Sequence, residues 1–499
     1  MSAIPGSLPR ICVALGFSTP GELARAVERE YRDGNTFLEL RLDHLQNPAD
    51  GIDLIRRLRA QEPELCLLAT CRHAANNGGF EGSIDQQVSI LQEASSAGAQ
   101  LIDLEVETAE LARKRVPELR AQSALIVSYH NFDSTPALAT AWNRLRKVAA
   151  DAYKLVTTAR KPTDNLRVSD FFRAKHDAPL VAFAMSEVGV STRILSLAAG
   201  CLYTYAAPIE GAGTAPGQIS ARLMRSLYRA EKLNRQSRIY GVIADPVAHS
   251  KSPLIHNRAF HARRVDAVYL PFRVAPAQLG DWMKFAIGFP VAGFSVTLPH
   301  KQKIIRYLDT VDPLARRIGA VNTVWRKSGK WRGTNTDVSG ILKPLSKHLR
   351  PAHANILLVG YGGAARAAAF ALKDAGAIVT ITGRDLGRAG LLAKAVDASV
   401  LSISEASKQR FDVVLNATSV GMHPNVEQCV FPDAIPGQIV FDMVYNPHET
   451  ALLTRAKEQG CTVIHGCEMF LEQAAQQFEI WVNESAPRAV MREAFDQNL

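Results

Sequence analysis

A lysine stands inside the apolar run Ala152-Tyr153-Lys154-Leu155-Val156-Thr157. A charged, unpaired ammonium there is costly, so burial favours the neutral amine, a nucleophile suited to Schiff-base chemistry. The alternative is structural, with Lys154 pairing a carboxylate from a neighbouring strand. His130 ends the preceding apolar run, ALIVSY (124–129). Because imidazole titrates near neutrality it is a natural proton carrier for imine formation and for abstraction beside it, although a lone histidine at a strand end is more often structural. Other apolar runs also end in polar groups: Glu39, Arg41 and Asp43 in ELRLD, Cys71-Arg72, and Asp103 with Glu105 in IDLE.

The second half offers different chemistry. The run VGYGGAARAAAFAL (359–372) places Gly360, Gly362, Gly363, Ala364 and Ala365 between an apolar strand and a helical stretch. In that context a glycine turn brings a pyrophosphate to a helix N-terminus, and a dinucleotide is expected. After the next strand come Arg384, Asp385 and, one turn on, Arg388. The arginines favour a ribose 2′-phosphate and hence NADP, whereas Asp385 is the residue type that holds the free ribose of NAD; the balance leans to NADP. Three further segments, GVIADPVAHSKSP (241–253) with Ser250 and Ser252, SVTLPHK (295–301) with Thr297 and Lys301, and GTNTD (333–337), each read alone as a loop with satisfied polar groups.

These residues need a scaffold, and the alternation of apolar runs with amphipathic stretches predicts one. Eight β-type segments, 11–15, 36–40, 65–70, 101–106, 124–129, 152–157, 179–185 and 201–206, start about 22 to 36 residues apart. That spacing predicts an N-terminal (β/α)8 barrel, in which catalytic groups sit at the C-terminal strand ends. A helical stretch near 217–234 and the polar segment 231–238 then lead to a strand at 238–243. A boundary near 235 is expected, followed by a small α/β unit over 236–340. A Rossmann-like series over 341–467 comes next, with strands at 355–360, 378–383, 411–418, 439–445 and 462–466. The apolar-periodic helix 468–482, within a closing segment 468–490, is expected to complete the small unit.

The chain has 499 residues, 47% hydrophobic and 21% charged, which suits several globular domains and excludes disordered and collagen-like classes. No apolar run reaches the roughly 18 residues of a membrane helix, and the start MSAIPGSLPR has no signal-peptide pattern. Seven cysteines without a C-x-x-C pair argue against a disulfide framework, so a cytoplasmic location is expected, and no metal site is. Residues 1–236 carry a net +2 and residues 237–499 a net +8. The basic residues are dispersed, which favours small anionic ligands over nucleic acid.

Taken in order, ELRLDH, ATCRHA, IDLE, SYHNF, AYKLV and TAPGQ (214–218) resemble type I 3-dehydroquinate dehydratase over residues 10–235. The resemblance implies Lys154 as the Schiff-base lysine and His130 as general acid/base. It also implies Glu39, Arg41 and Arg72 at the ring hydroxyls, Arg193 at the substrate carboxylate, and Thr214 with Gln218 on a lid loop. Asn76 occupies a position where some members have an acid, and Thr214 one where many have serine. The segments 241–253, 295–301, AVNTV (320–324), 333–337, GYGGAAR, NATSVGM (416–422), DMVYNP (442–447) and MFLEQAA (469–475) resemble shikimate dehydrogenase over residues 238–490. This second resemblance implies Lys301 and Asp337 as the catalytic pair and Ser250 and Ser252 at the carboxylate. Thr297, Asn322 and Gln473 would meet the hydroxyls, and Asn416, Thr418, Met443 and Met469 the nicotinamide side. The product of the first reaction is the substrate of the second, so the expected function is two consecutive steps, 3-dehydroquinate to 3-dehydroshikimate and then, with NADPH, to shikimate. The competing readings are a second half acting on quinate with NAD(H) and a ligand-sensing regulator without catalysis.

Overall fold

The computed structural model describes residues 4–497 apart from 7, 175, 210, 212 and 249. Eight parallel strands, β1 (Ile11–Leu15), β2 (Phe37–Arg41), β3 (Cys66–Thr70), β4 (Leu101–Glu105), β5 (Ala124–His130), β6 (Ala152–Thr158), β7 (Leu180–Met185) and β8 (Thr204–Ala206), coincide with the eight apolar runs. Their order is β7-β6-β5-β4-β3-β2-β1-β8. Among the described residues no ladder joins β7 to β8, although Leu202 N donates to Leu180 O at 2.9 Å, so the barrel is nearly closed. The intervening helices form where polar caps precede amphipathic stretches. Thr19 caps the helix Pro20–Arg32 by accepting from Glu22 N, proline fits its first turn, and the stripe Leu23, Ala26 and Val27 turns inward. The helix expected near 217–234 is instead a short helix, Ala221–Ser226, and a 3₁₀ turn, Ala230–Lys232. Arg229 between them adopts φ 49°, a left-handed conformation that ends helical propagation.

A mixed sheet follows, made of β9 (Arg238–Ala244), β10 (Ala267–Arg273), β11 (Val291–Val296), β12 (Thr310–Val311), β13 (Thr323–Lys327) and β14 (Lys330–Thr334), in the order β10-β9-β11-β13-β14-β12. The third sheet is parallel throughout: β15 (Asn355–Val359), β16 (Ile378–Thr382), β17 (Ser399–Val400), β18 (Phe411–Asn416), β19 (Gly437–Asp442) and β20 (Thr462–Ile464), ordered β17-β16-β15-β18-β19-β20. Strand order reverses beside β15, and at such a switch point open α/β sheets bind ligands. By compactness the chain divides into residues 1–238 with 266–290, and residues 239–265 with 291–499.

Within the second unit the helix Gly466–Val482 buries Met469, Phe470, Gln473, Ala474, Phe478 and Trp481. It lies so close to the helix Asp337–Leu345 that a Cβ at Gly340 would fall 2.8 Å from Met469 O, which requires glycine there. That approach is what brings Gln473 to the start of the helix carrying Asp337. A final helix, Arg488–Asp496, is an element the sequence pattern did not indicate. Among the described residues no helix is long and apolar enough to cross a membrane.

Candidate active sites

Alternate residues of a strand share a face, so Glu39 and Arg41, Asp103 and Glu105, and Ser128 and His130 each point the same way from their strands. Contacts show that this face is the barrel interior. Thr70 Oγ1 donates to Glu39 Oε1 at 2.8 Å, and Ser128 Oγ to Asp103 Oδ1 at 2.6 Å. Lys154 Nζ, 3% exposed as a residue, lies 2.9 Å from Asp103 Oδ2, 3.0 Å from Tyr205 Oη and 4.0 Å from Glu39 Oε1. The lysine is therefore partnered, which answers the desolvation cost. Burial opposes ionisation of Asp103, but Lys154 and Arg72 outweigh it and hold the carboxyl below the usual range. Since Ser128 is opposite Lys154 and His130 opposite Val156, the imidazole sits one layer above the amine, towards the strand ends. Asp103 and Tyr205 are the lysine's direct partners, roles that the sequence reading did not assign. Their signal was present in the two-residue alternation of LIDLE and CLYTYA.

Burial, reinforced by Arg72, Lys154 and Arg41, pushes His130 well below the ordinary histidine value. A neutral imidazole can accept a proton at neutral pH, so a kcat/KM profile governed by this base should have its acidic limb below about 6.5. Replacing Arg72 by Gln removes one of those charges and should move the limb to higher pH. A pH–rate profile of the two proteins decides this, and an unmoved limb would assign it to another group.

Arg41 is held by Asp43 through Nε at 2.9 Å and Nη2 at 2.7 Å, and burial of Asp43 is outweighed by this fork, which keeps the carboxyl low. Arg72 is buried and its Nε has no partner among the described residues. Arg193 is 1% exposed, with Nε and Nη1 both unmatched among the described residues, Nη2 on Pro216 O at 3.2 Å, and its guanidinium 4.5 Å above the Phe183 ring. Burial pushes it down to about 9, still cationic at neutral pH. A buried cation with two unmatched donors is a site for an oxyanion. The loop it touches also holds Gln218, whose Oε1 accepts from Thr214 N at 2.7 Å.

In the second unit Lys301 Nζ and Asp337 Oδ2 are 2.6 Å apart, with side chains 14% and 4% exposed. Asn322 Nδ2 donates to Asp337 Oδ1 at 2.7 Å and lies 3.5 Å from Gln473 Oε1. Thr297 follows β11, its N bonded to Ile243 O at 3.2 Å. Ser252 opens the helix Ser252–Ala262 and its N donates to Ser250 Oγ at 3.3 Å.

The glycine turn adjoins this pair, since a Cβ on Gly363 would stand 3.5 Å from Lys301 Cδ. Gly360 has φ 121°, closed to other residues, and a Cβ there would meet Ala417 O at 3.1 Å. Gly362 caps the helix Gly363–Asp374, which includes Ala364 and Ala365, and no described residue lies within 4 Å of its Cβ position. A phosphate can thus approach the backbone, and the turn fits a dinucleotide. Asp385 is occupied as the cap of the helix Leu386–Val396, accepting from Arg388 N at 3.0 Å. Arg388 lies 4.8 Å over the Tyr361 ring and Arg384 is exposed. Asn416 is tied to Asp442 Oδ1 at 3.0 Å and to Thr418 Oγ1 at 2.7 Å. Met469 belongs to the apolar core and Met443 packs against it.

A nearly closed (β/α)8 barrel around a buried lysine, joined to a Rossmann-like dinucleotide turn beside a lysine–aspartate pair, defines a two-site enzyme of lyase and dehydrogenase type. Residues 11–235 match type I 3-dehydroquinase, 242–324 the shikimate dehydrogenase substrate binding domain, and 466–494 the shikimate 5'-dehydrogenase C-terminal domain. The chain is 32% identical over 505 residues to the chloroplastic bifunctional 3-dehydroquinate dehydratase/shikimate dehydrogenase of Arabidopsis thaliana, covering 96% of this chain and 83% of that one. It is 43% identical over 257 residues to the shikimate dehydrogenase (NADP(+)) of Bacillus anthracis, covering 49% and 92%. Among solved structures, shikimate dehydrogenase of Aquifex aeolicus aligns at 36% identity and TM-score 0.50, over 52% of this chain and 98% of that one. That of Listeria monocytogenes, in complex with shikimate and NAD, aligns at 32% and 0.50, over 53% and 98%. The chain belongs to the bifunctional 3-dehydroquinate dehydratase/shikimate dehydrogenase family.

Proposed function

We propose that the barrel dehydrates 3-dehydroquinate through an imine on Lys154 and that the second half reduces the resulting 3-dehydroshikimate to shikimate with NADPH. The supporting observation is a buried lysine–aspartate pair in each half, Lys154–Asp103 and Lys301–Asp337. In the barrel, Lys154 passes a proton to His130 and its amine attacks the C3 ketone; His130 returns the proton to the carbinolamine hydroxyl, which leaves as water and gives an iminium beside the Asp103 carboxylate. Neutral His130 takes the proton from the adjacent carbon, the electron pair expels the hydroxyl, and His130 returns the proton so that water departs. A second water hydrolyses the imine. Arg193 meets the substrate carboxylate.

In the second half bound NADPH supplies the hydride. The Lys301–Asp337 pair supplies the proton to the oxygen of the reduced ketone, while Asn322 and Gln473 orient the ring and Ser250 and Ser252 hold the carboxylate. The occupation of Asp385 as a helix cap supports NADP over NAD. Replacing Arg384 and Arg388 together by Ser should raise the KM for NADPH about tenfold or more per arginine, each charged hydrogen bond being worth about 1.5–3 kcal/mol, with little change for NADH. Steady-state kinetics with both cofactors check this, and a parent enzyme that already prefers NADH would return the choice to Asp385 and admit the quinate reading.

A coupled assay tests the whole reading: dehydroquinate with NADPH should give transient dienone absorbance and then cofactor oxidation. Dienone without oxidation, or neither signal, refutes it. We place the boundary between the activities near residue 235, supported by the end of the dehydroquinase match there and the start of β9 at Arg238. The small unit then spans 236–340 with 468–490, although by compactness its residues 266–290 group with 1–238, and the nucleotide unit spans 341–467. The seven free cysteines support a cytoplasmic enzyme with small-molecule partners.

A further inference from the structure

Apart from the two lysine–aspartate pairs, three metal-binding side chains converge beyond the C-terminal ends of β19 and β20. His448 and Glu449 lie on the segment that leaves β19, and His465 joins β20 to the helix Gly466–Val482. The two imidazoles stack, with ring centroids 4.6 Å apart and planes inclined by 14°. His465 Nε2 is 3.2 Å from Glu449 Oε2, and one donor atom from each of the three residues lies within 4.8 Å of the others. Two donors bound to one tetrahedral zinc at about 2.05 Å are about 3.3 Å apart, and lone pairs lie in the ring planes, so one imidazole must turn out of the stack as the three donors close around an ion. Glu449 also meets Lys457 Nζ at 2.8 Å, an ion pair half open to solvent that offers little resistance to exchange for a dication. Cys467 Sγ stands 3.6 Å from His448 Nε2 and accepts from Arg492 Nη1 at 3.3 Å.

We propose that His448, Glu449 and His465 form a binding site for a first-row divalent transition ion of the zinc class, with water in the remaining position. Two imidazoles and one carboxylate select such an ion over Mg²⁺ or Ca²⁺, which prefer oxygen ligands. The site takes no part in either reaction. It staples the segment after β19 to the N-cap of the helix that carries Gln473. The sequence did not point to this cluster, because Glu449 and His465 are 16 positions apart and the parallel pairing of β19 with β20 brings them together.

Zinc alone, titrated into the metal-free full chain against a chromogenic chelator, should reveal one site per chain that Mg²⁺ does not fill. Replacing His448 and His465 together by Ala should weaken it by about 100-fold or more, since even outer-shell changes cost 10–100-fold. Zinc should raise the thermal midpoint of the parent and not of the double variant, as a ligand of the folded state must. E449Q, altered at an exposed position, should bind more weakly while circular dichroism stays unchanged, which separates ligation from folding. Zinc binding undiminished in either variant, absence of binding to the folded parent, or equal occupancy by Mg²⁺ overturns the proposal.

Discussion

Borohydride added with dehydroquinate is expected to fix the ligand covalently on Lys154, seen by mass spectrometry of the digested protein. Lys154 is the one lysine in the barrel strands, and it stands beneath His130 with Asp103 and Tyr205 at hydrogen-bond distance. Lys154→Ala should lower dehydration by on the order of 10⁴–10⁶, the scale of loss when a covalent nucleophile is removed, and leave reduction of dehydroshikimate in place. The same change leaves the Asp103 carboxylate buried without its cation, at a cost of about 3–5 kcal/mol. Adding Asp103→Asn should recover stability without recovering dehydration, which distinguishes lost chemistry from lost folding. An adduct on another lysine, or none, refutes the imine.

The second large effect is expected at Lys301 and Asp337. Groups that move one proton as a unit lose function together, so each single Ala variant should lower kcat by about 10²–10⁴ and the double variant little further. On the proposed reading shikimate should bind nearly as before, since Ser250, Ser252 and Asn322 are unchanged. Additive losses, or a change confined to KM, would reduce the pair to a positioning role, with the proton drawn from water.

Sequence pattern located the eight barrel strands because parallel strands buried on both faces read as short continuous apolar runs. It also located Lys154, since a charge inside such a run is conspicuous. What surrounds a residue is harder to read. Tyr205 and Asp103 reach Lys154 from strands β8 and β4, far away in sequence, and only barrel closure brings them there. Arg41 shows the converse, because ELRLD gave no sign that Asp43, two positions on, would hold its guanidinium. Asp385 was ambiguous as a residue type and became intelligible once seen as a helix cap. The break at Arg229 was hidden because a left-handed residue other than glycine leaves no compositional mark, and the association of 266–290 with the first unit follows from packing that strand and helix periodicities do not encode.

The incomplete shell around Arg193 has a consequence for how the barrel is finished. Most proteins balance a buried charge from their own sequence, whereas here, among the described residues, two guanidinium donors are unmatched and a third is tied to Pro216, on the loop holding Thr214 and Gln218. On the function proposed above, the counter-ion that completes this shell is the carboxylate of dehydroquinate. Such a carboxylate would do what a core residue does elsewhere, neutralising a buried charge at the root of the loop Arg193 touches. Binding and consolidation of the barrel would then be one event, with part of the interior's electrostatic balance supplied by metabolism rather than by the gene.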